Sequence, residues 1–325
     1  MPMVRVHPRP DSEMAAWARA ARAPAGIEWS VPIVVQGGSW PLHFECSTCP
    51  SGATVGEDLP ADWITNGLGD YGIVRWSNPT VGSHSFVITV ADQDGGSTLS
   101  IDWTLEVIAS TNTTYFVFFD DDGAADNSGT GTPASPEHDI RACWGANEDD
   151  TVCQGKQLFF RAGEYDIGGL SLGYEGTGGN RLPWNNSKPF VLVGYPGETA
   201  TIDDAGVYIL CEGTQGDFAV QNMRFINPMN TGDIKRWLHW CSRDRTLIHG
   251  NTFIGDSGTP AGGGSNPAAI FFAGTVPSPG LYTSITRNTF DDLDSMPSVL
   301  VYDMQYFVYE GNVVSNSSNG GTLYL

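Results

Sequence analysis

Two kinds of hydrophobic pattern divide the chain. Between residues 27 and 109 apolar and polar positions alternate. HSFVITV places Phe86, Ile88 and Val90 on one side, and STLSIDWTLEVI places Leu99, Ile101, Trp103, Leu105 and Val107 on one side. Such alternation marks half-buried strands. DQDGG between the two runs supplies Gly95 and Gly96 for positive φ and predicts a hairpin turn. IEWSVPIVVQ, HFEC and GIVRW add further short strands. From residue 115 the pattern changes. FAVQNMRF, TLIHGNTF, TSITRNTF and FVYEGNVV each set an apolar run before a polar corner and a second apolar run. Asn251, Asn288 and Asn312 fall at the same corner, 37 and 24 residues apart. Repeats of uneven length with a regular core are those of a solenoid that extrudes loops. The expected fold is all-β, with a right-handed parallel β-helix over 115–325 that makes six or seven rungs. Phe253, Phe290 and Val314 stack inward beneath the corners. Asn tolerates a left-handed backbone and can bond along a ladder, so the three asparagines are read as structural corners.

Residues 1–26 read as an arm, and ASTNTT at 109–114 as the linker between modules 27–109 and 115–325. In the arm, Asp11 or Ser12 can cap a short helix over SEMAAWARAAR, with Met14 and Trp17 on one face. Arg5, Arg9, Arg19 and Arg22 stand against only Asp11 and Glu13. A short helix of this kind is marginal alone in water. Arg5, Arg9, Met14, Trp17, Arg19 and Arg22 are therefore the expected docking residues for another protein.

Composition sharpens this picture. Of 325 residues, 40% are hydrophobic and only 16% charged, with Gly at 40 and Pro at 20. That supports a real core and turn-rich β structure. The formal net charge of −21 argues against nucleic acid and against an anionic membrane surface as partners. No apolar run reaches the roughly 18 residues of a spanning helix. The first residues lack the apolar core of a secretion signal, so release within a virus particle by lysis is expected rather than export. The six cysteines include one CxxC, Cys46 to Cys49, a weak zinc pattern without a second pair. Cys143 and Cys153 are close enough to bridge a loop. Cys211 and Cys241 lie 30 residues apart and could stack on neighbouring rungs. Buried free thiols are the expectation in a reducing cytosol.

The stretch GIVRWSNPTVGSHSFVITVADQDGGSTLSIDWTLEVI resembles cadherin-like, Ig-fold modules of bacterial surface and phage proteins. Asp92 and Asp94 resemble the calcium-binding acidic pairs of cadherins, although a turn is their commoner use. The stretch YFVFFDDDGAADNSGTGTPASPEHDI followed by GKQLFFRAGEYDI resembles the opening of pectate-lyase-like β-helix proteins. Phe118, Asp120, Asp126, Gly129, Thr130, Pro136, Ile140, Arg161, Ala162, Gly163 and Tyr165 carry the likeness. NSKPFVLVGYPGETATIDDAG is similar to the next rung of that family. The departure is RACWGANEDDTVCQ, shorter and more acidic than the family's capping helix. The resemblance implies an Ig-like sandwich before a β-helix, as in phage virion proteins, where trimers are the usual state.

Many proteins of that architecture cleave acidic polysaccharides with calcium and an Arg or Lys base, or with paired carboxylates. Asp203, Asp204, Arg243 and Asp244 are the candidates here. They form no hydrolase or lyase signature, so the chain leans towards a non-enzyme. Tyr174, Trp184, Trp237 and Trp240 are the candidate glycan platforms. Asp120, Asp122 and Asp126 could hold a structural calcium, although their spacing does not fit an EF-hand. No other cofactor is expected. The expected role is a structural bacteriophage virion protein: a capsid decoration or cement protein, or a short tail or fibre component. It would dock on a capsid or tail protein through the arm, as a homotrimer. The alternatives are a tailspike that binds or degrades polysaccharide, as lyase or glycoside hydrolase, and a bacterial surface adhesin module.

Overall fold

The computed structural model describes residues 2–8, 18–56, 71–124, 128–138, 140–143, 152–153, 155–166, 171–172, 181–182, 189–203, 206–209, 218–227, 229–231, 234–241, 245–255, 268–273, 280–293, 297–302, 304–317 and 323–324. Nearly all of the regular structure is β.

The first module contains β1 (Val4–His7), α1 (Ala18–Ala21), β2 (Arg22–Pro24), β3 (Trp29–Gln36), β4 (His43–Thr48), β5 (Ala53–Gly56), β6 (Tyr71–Trp76), β7 (Gly82–Ala91) and β8 (Thr98–Ile108). They form two sheets, ordered β1-β3-β6-β5 and β2-β8-β7-β4. Every pairing is antiparallel except that of β2 with β8. This order is compatible with an Ig-like sandwich. The alternation read in the sequence explains the core. Trp29, Val31, Ile33 and Val35 pack with Phe86, Ile88, Val90, Ile101, Trp103, Leu105 and Val107, and Phe86 stacks on Trp103 at 4.9 Å. The hairpin turn forms as expected: Gly95 has φ +64°, and Asp92 Oδ1 accepts the Ser97 amide. Cys46 and Cys49 form a disulfide, which replaces the zinc reading with a covalent link at the end of β4.

The arm expected over residues 1–26 is partly absorbed into this module. Residues 4–7 pair with β3 and residues 22–24 with β8. Of the helix expected from Ser12 to Arg22, Ala18–Ala21 is helical among the described residues. The reason is burial: Val6, Ala20 and Ala23 are fully covered, which an unsupported helix could not achieve.

The second module winds through three parallel sheets in a fixed order. The first turn begins with β9 (Phe116–Ala124). The second holds β10 (Gln157–Phe160), β11 (Gly163–Asp166) and β12 (Ser171–Leu172), flanked by β13 (Arg181–Leu182). The third holds β14 (Phe190–Gly194), β15 (Ala200–Asp203) and β16 (Gly206–Ile209). The fourth holds β17 (Phe218–Gln221), β18 (Met223–Ile226), a small hairpin of β19 (Met229–Thr231) and β20 (Ile234–Arg236), and β21 (Leu238–Cys241). The fifth holds β22 (Thr246–His249), β23 (Thr252–Ile254) and β24 (Ile270–Ala273). The sixth holds β25 (Gly280–Thr286), β26 (Thr289–Asp291) and β27 (Val299–Tyr302), and the seventh β28 (Met304–Glu310), β29 (Val313–Ser315) and β30 (Leu323–Tyr324). The sheets run β9-β10-β14-β17-β22-β25-β28, β11-β15-β18-β23-β26-β29 and β13-β12-β16-β21-β24-β27-β30. This cyclic order is compatible with the expected parallel β-helix. Inside, Phe225, Phe253 and Phe290 stack in register at 5.1 Å, and Val314 extends the row beneath them. The Cys143–Cys153 disulfide joins two residues buried against the same interior.

The two modules share one core. The outward face of the first sheet carries two in-register rows: Phe116, Gln157, Val191, Ala219, Leu247, Ser284 and Val308, and Phe118, Phe159, Val193, Gln221, His249, Thr286 and Glu310. All but Glu310 are buried. Phe116, Phe118, Phe159, Val191, Val193, Ala219 and Leu247 belong to the same apolar cluster as the sandwich core. Towards the last turns, Val6, Val34 and Ile73 of the sandwich pack on Val308 and Tyr282. β3 is thus buried on both faces, which explains its nearly unbroken apolar run. Each large side chain on this face contributes about 1.5–3 kcal/mol through burial. Phe159→Ala, which leaves a cavity between Phe118, Phe116 and the Arg19 side chain, should lower stability by about 3–5 kcal/mol. Chemical denaturation of the full chain measures it, and a loss below about 1 kcal/mol would show that the face is not packed as described.

Candidate functional site

Three features could carry function: the polar corner ladder, the ion-paired opening corner and the outer face of the second sheet. The ladder is the most regular. Asn251 Nδ2 donates to Asn288 Oδ1 at 3.0 Å and to the Val220 carbonyl at 2.9 Å. Asn288 Nδ2 donates to Asn312 Oδ1 at 2.9 Å and to the Ile248 carbonyl at 3.1 Å. Asn312 Nδ2 reaches the Ile285 carbonyl at 2.8 Å. Each Oδ1 also accepts a main-chain amide from the preceding turn, from Met223, Asn251 and Asn288 in order. The side chains therefore satisfy corner backbone that the sheets leave unpaired.

One part of the expectation is corrected. The left-handed residue at these corners is not the asparagine but its predecessor: Gly250 (φ +67°), Arg287 (φ +55°) and Gly311 (φ +61°), with Asn222 (φ +55°) at the same place one turn earlier. The asparagine supplies the ladder, and the residue before it supplies the bend.

The opening corner is held by charge. Arg161 donates through Nη2 to Glu198 Oε1 at 2.7 Å and through Nε to Glu198 Oε2 at 3.2 Å, and the Ala162 amide donates to the same Oε2. Asp120 lies 3.6 Å from Arg161, and the guanidinium sits over the Tyr195 ring. Hydrogen bonds from Arg161 hold the Glu198 carboxyl below its ordinary range. Beneath this corner the Tyr165 hydroxyl donates to the Phe119 and Arg161 carbonyls, and burial pushes its pKa up. A bidentate pair capped by an aromatic ring pins the second and third turns together, and Asp120 of the first turn lies beside it.

The second sheet presents an in-register row of Glu164, Thr201, Arg224, Thr252, Thr289 and Val313 on its outer side. The neighbouring row contains Asp203 and Asp291. Asp203 Oδ1 accepts from Asn227 Nδ2 at 2.7 Å. Asp291 Oδ1 accepts from Ser315 Oγ and Asn316 Nδ2, each at 2.7 Å. Both carboxylates are thereby committed to side chains of the next turn, as corner residues are.

Of the candidate catalytic residues, Asp203 has this corner role, and Asp204, Arg243 and Asp244 lie outside the described residues. Trp237 is corrected: it is fully buried in the coil interior, its Nε1 donating to the Ile226 carbonyl, so it is no glycan platform. Tyr174 and Trp184 lie outside the described residues, as does the Trp240 side chain. Asp126 does too, while Asp120 faces Arg161 and its Oδ1 accepts the Asp122 amide. Among the described residues no three His, Cys, Asp or Glu side chains converge as a metal cage. Arg5 is buried within the first module, where it donates to the Pro8 and Asp102 carbonyls, Arg19 is buried at the junction of the modules, and Arg22 lies over the Tyr115 ring, so these three are not docking residues on a free arm. Arg9, Met14 and Trp17 lie outside the described residues.

Sequence reasoning missed the polar contacts of the junction. Arg19 Nε donates to Gln221 Oε1 at 2.9 Å, Trp29 Nε1 to the Arg19 carbonyl at 2.8 Å, and Gln157 Nε2 to the Arg22 carbonyl at 2.9 Å. The available signal was the placement of Gln157 and Gln221 within otherwise apolar strands. Compared with known proteins, the chain matches no family model, no curated protein and no solved structure.

The ladder makes a graded prediction. Asn288 both accepts from Asn251 and donates to Asn312, so Asn288→Val should destabilise by about 1–3 kcal/mol, and more than Asn312→Val at the last described turn. Urea midpoints of the two variants decide it; equal midpoints to the parent would remove the ladder.

Proposed function

We propose that this chain is a non-catalytic structural protein of a bacteriophage particle, a decoration or cement protein or a short tail or fibre component. The observation that carries this reading is the core shared by the sandwich and the first sheet of the coil. A sandwich laid along one whole face of a coil stiffens it without a hinge. A rigid body of this kind suits a part that must hold its shape between larger partners. The same burial removes one of the three faces along which a glycan could lie.

Two further observations favour this reading over a polysaccharide-cleaving or polysaccharide-binding spike. The candidate carboxylate Asp203 is held by Asn227, and the candidate platform Trp237 is inside the coil. Docking on a capsid or tail protein, and association into trimers, then fall to the uncovered faces. The outer side of the second sheet, where Glu164 is exposed and Arg224, Thr252 and Thr289 are half-buried, is the described surface best suited to a protein partner. The net charge of −21 keeps such a surface solvated and non-adhesive towards other anions.

Two tests follow. Incubation of the full chain with a panel of uronate and neutral polysaccharides should release no reducing ends and no unsaturated uronate absorbance. Robust turnover that disappears in Asp203→Asn would overturn the non-catalytic reading. An antibody against the chain should label intact purified particles in negative-stain microscopy; particles that never carry the chain would overturn the virion assignment.

A further inference from the structure

One column of the coil interior changes character along its length. Phe218 of β17, Thr246 of β22, Thr283 of β25 and Phe307 of β28 stand in register from the fourth turn to the seventh. All four lie on the inward side of the first sheet. Phe218 belongs to the interior cluster and Phe307 packs against it. Ile248 and Ile285, two residues after the threonines on the same strands, belong to it as well. Leu247, between Thr246 and Ile248, belongs instead to the cluster shared with the sandwich. Thr246 and Thr283 are both fully buried. Neither Oγ1 has a hydrogen-bond partner among the described residues.

A buried hydroxyl without a partner destabilises a fold, and native interiors rarely keep one. Other polar groups of this interior obey the rule. Asn251 bonds to Asn288, the Tyr309 hydroxyl meets Ser298 Oγ at 3.1 Å, and Trp237 Nε1 donates to the Ile226 carbonyl. Neighbouring strands of a sheet run about 4.8 Å apart, so side chains in step across them do not bond directly. One water between two such oxygens, at about 2.8 Å from each, subtends an angle of roughly 120°, near the tetrahedral preference of water. The column also narrows here. Threonine is several non-hydrogen atoms smaller than the phenylalanine that occupies the same column at Phe218 and Phe307, and a water with polar partners takes up only about 30 Å³.

We propose that the coil interior binds one ordered water molecule between the fifth and sixth turns, held by Thr246 Oγ1 and Thr283 Oγ1. The water joins these turns from inside, as Asn251 and Asn288 join them at the corner. It gives each hydroxyl a partner and fills part of the volume that two threonines leave in a column of aromatic rings. The alternative is that each threonine is kept only for its methyl group and β-branched shape, with its hydroxyl tolerated at a cost. The two readings differ in sign when the hydroxyls are replaced by methyl groups. Removing a merely tolerated, unpartnered hydroxyl relieves the fold. Removing a hydroxyl that holds a buried water leaves that water short of a partner.

A crystal structure of the full chain that resolves ordered water tests the site directly. A water peak about 2.8 Å from both Oγ1 atoms is expected. No peak between them, or both hydroxyls bonded to main-chain carbonyls, would overturn the proposal. Without crystals, valine variants decide, since valine keeps the shape of threonine. Thr246→Val and Thr283→Val should each lower the urea midpoint. The double variant should lose less than the sum of the two, because the second substitution removes a partner from a water already half released. A midpoint that rises or stays level in either single variant, or losses that simply add, would contradict the bridging water.

Discussion

Burial of the first sheet's outer face is the constraint on which the rest of the molecule depends. A parallel sheet buried on both faces must be apolar on both, and β9, β10 and β14 are: FVFF, QLFF and FVLVG. The sandwich supplies the cover. β3 meets the same demand, with Val31, Ile33 and Val35 towards the sandwich interior and Val34 towards the coil. The chain therefore forms three apolar layers in sequence: between the sandwich sheets, between sandwich and coil, and within the coil.

That arrangement accounts for where polarity is tolerated. Towards the later turns the outward row changes from Phe118, Phe159 and Val193 to Gln221, His249, Thr286 and Glu310. The sandwich answers this change at Gln221 with Arg19. Buried polar side chains are costly unless partnered, and Gln221 with Arg19 shows the partnering directly. Inside the coil the same rule is met at the corners by the asparagine ladder, and outside it by Asp203 with Asn227 and Asp291 with Asn316.

Much of the fold was legible in the chain. The alternation of β7 and β8, the Gly95 turn, the stacking of Phe253 on Phe290 and the shared corner of Asn251, Asn288 and Asn312 all follow from local pattern, because each depends on strand period or repeat spacing. The docking of the modules was not legible, because it joins residues more than a hundred positions apart, such as Arg22 and Gln157. Besides Gln157 and Gln221, its local trace was apolar runs without alternation, which a wholly buried strand and a coil interior produce alike. The arm was misjudged for a related reason. Four arginines near the start read as a surface for a partner, yet Arg5 and Arg19 are buried and bond to this chain's own carbonyl and amide groups. The corner was misjudged by one residue, because Arg287 bears a left-handed backbone that its residue type does not advertise. The candidate site was the least legible, since corner carboxylates and catalytic carboxylates look alike until their partners are seen.

The central claim is that sandwich and coil are one cooperative body. Scanning calorimetry of the full chain at neutral pH tests it most directly. The account predicts a single transition whose calorimetric and van't Hoff enthalpies agree. Two resolved transitions, with the sandwich melting apart from the coil, would contradict it.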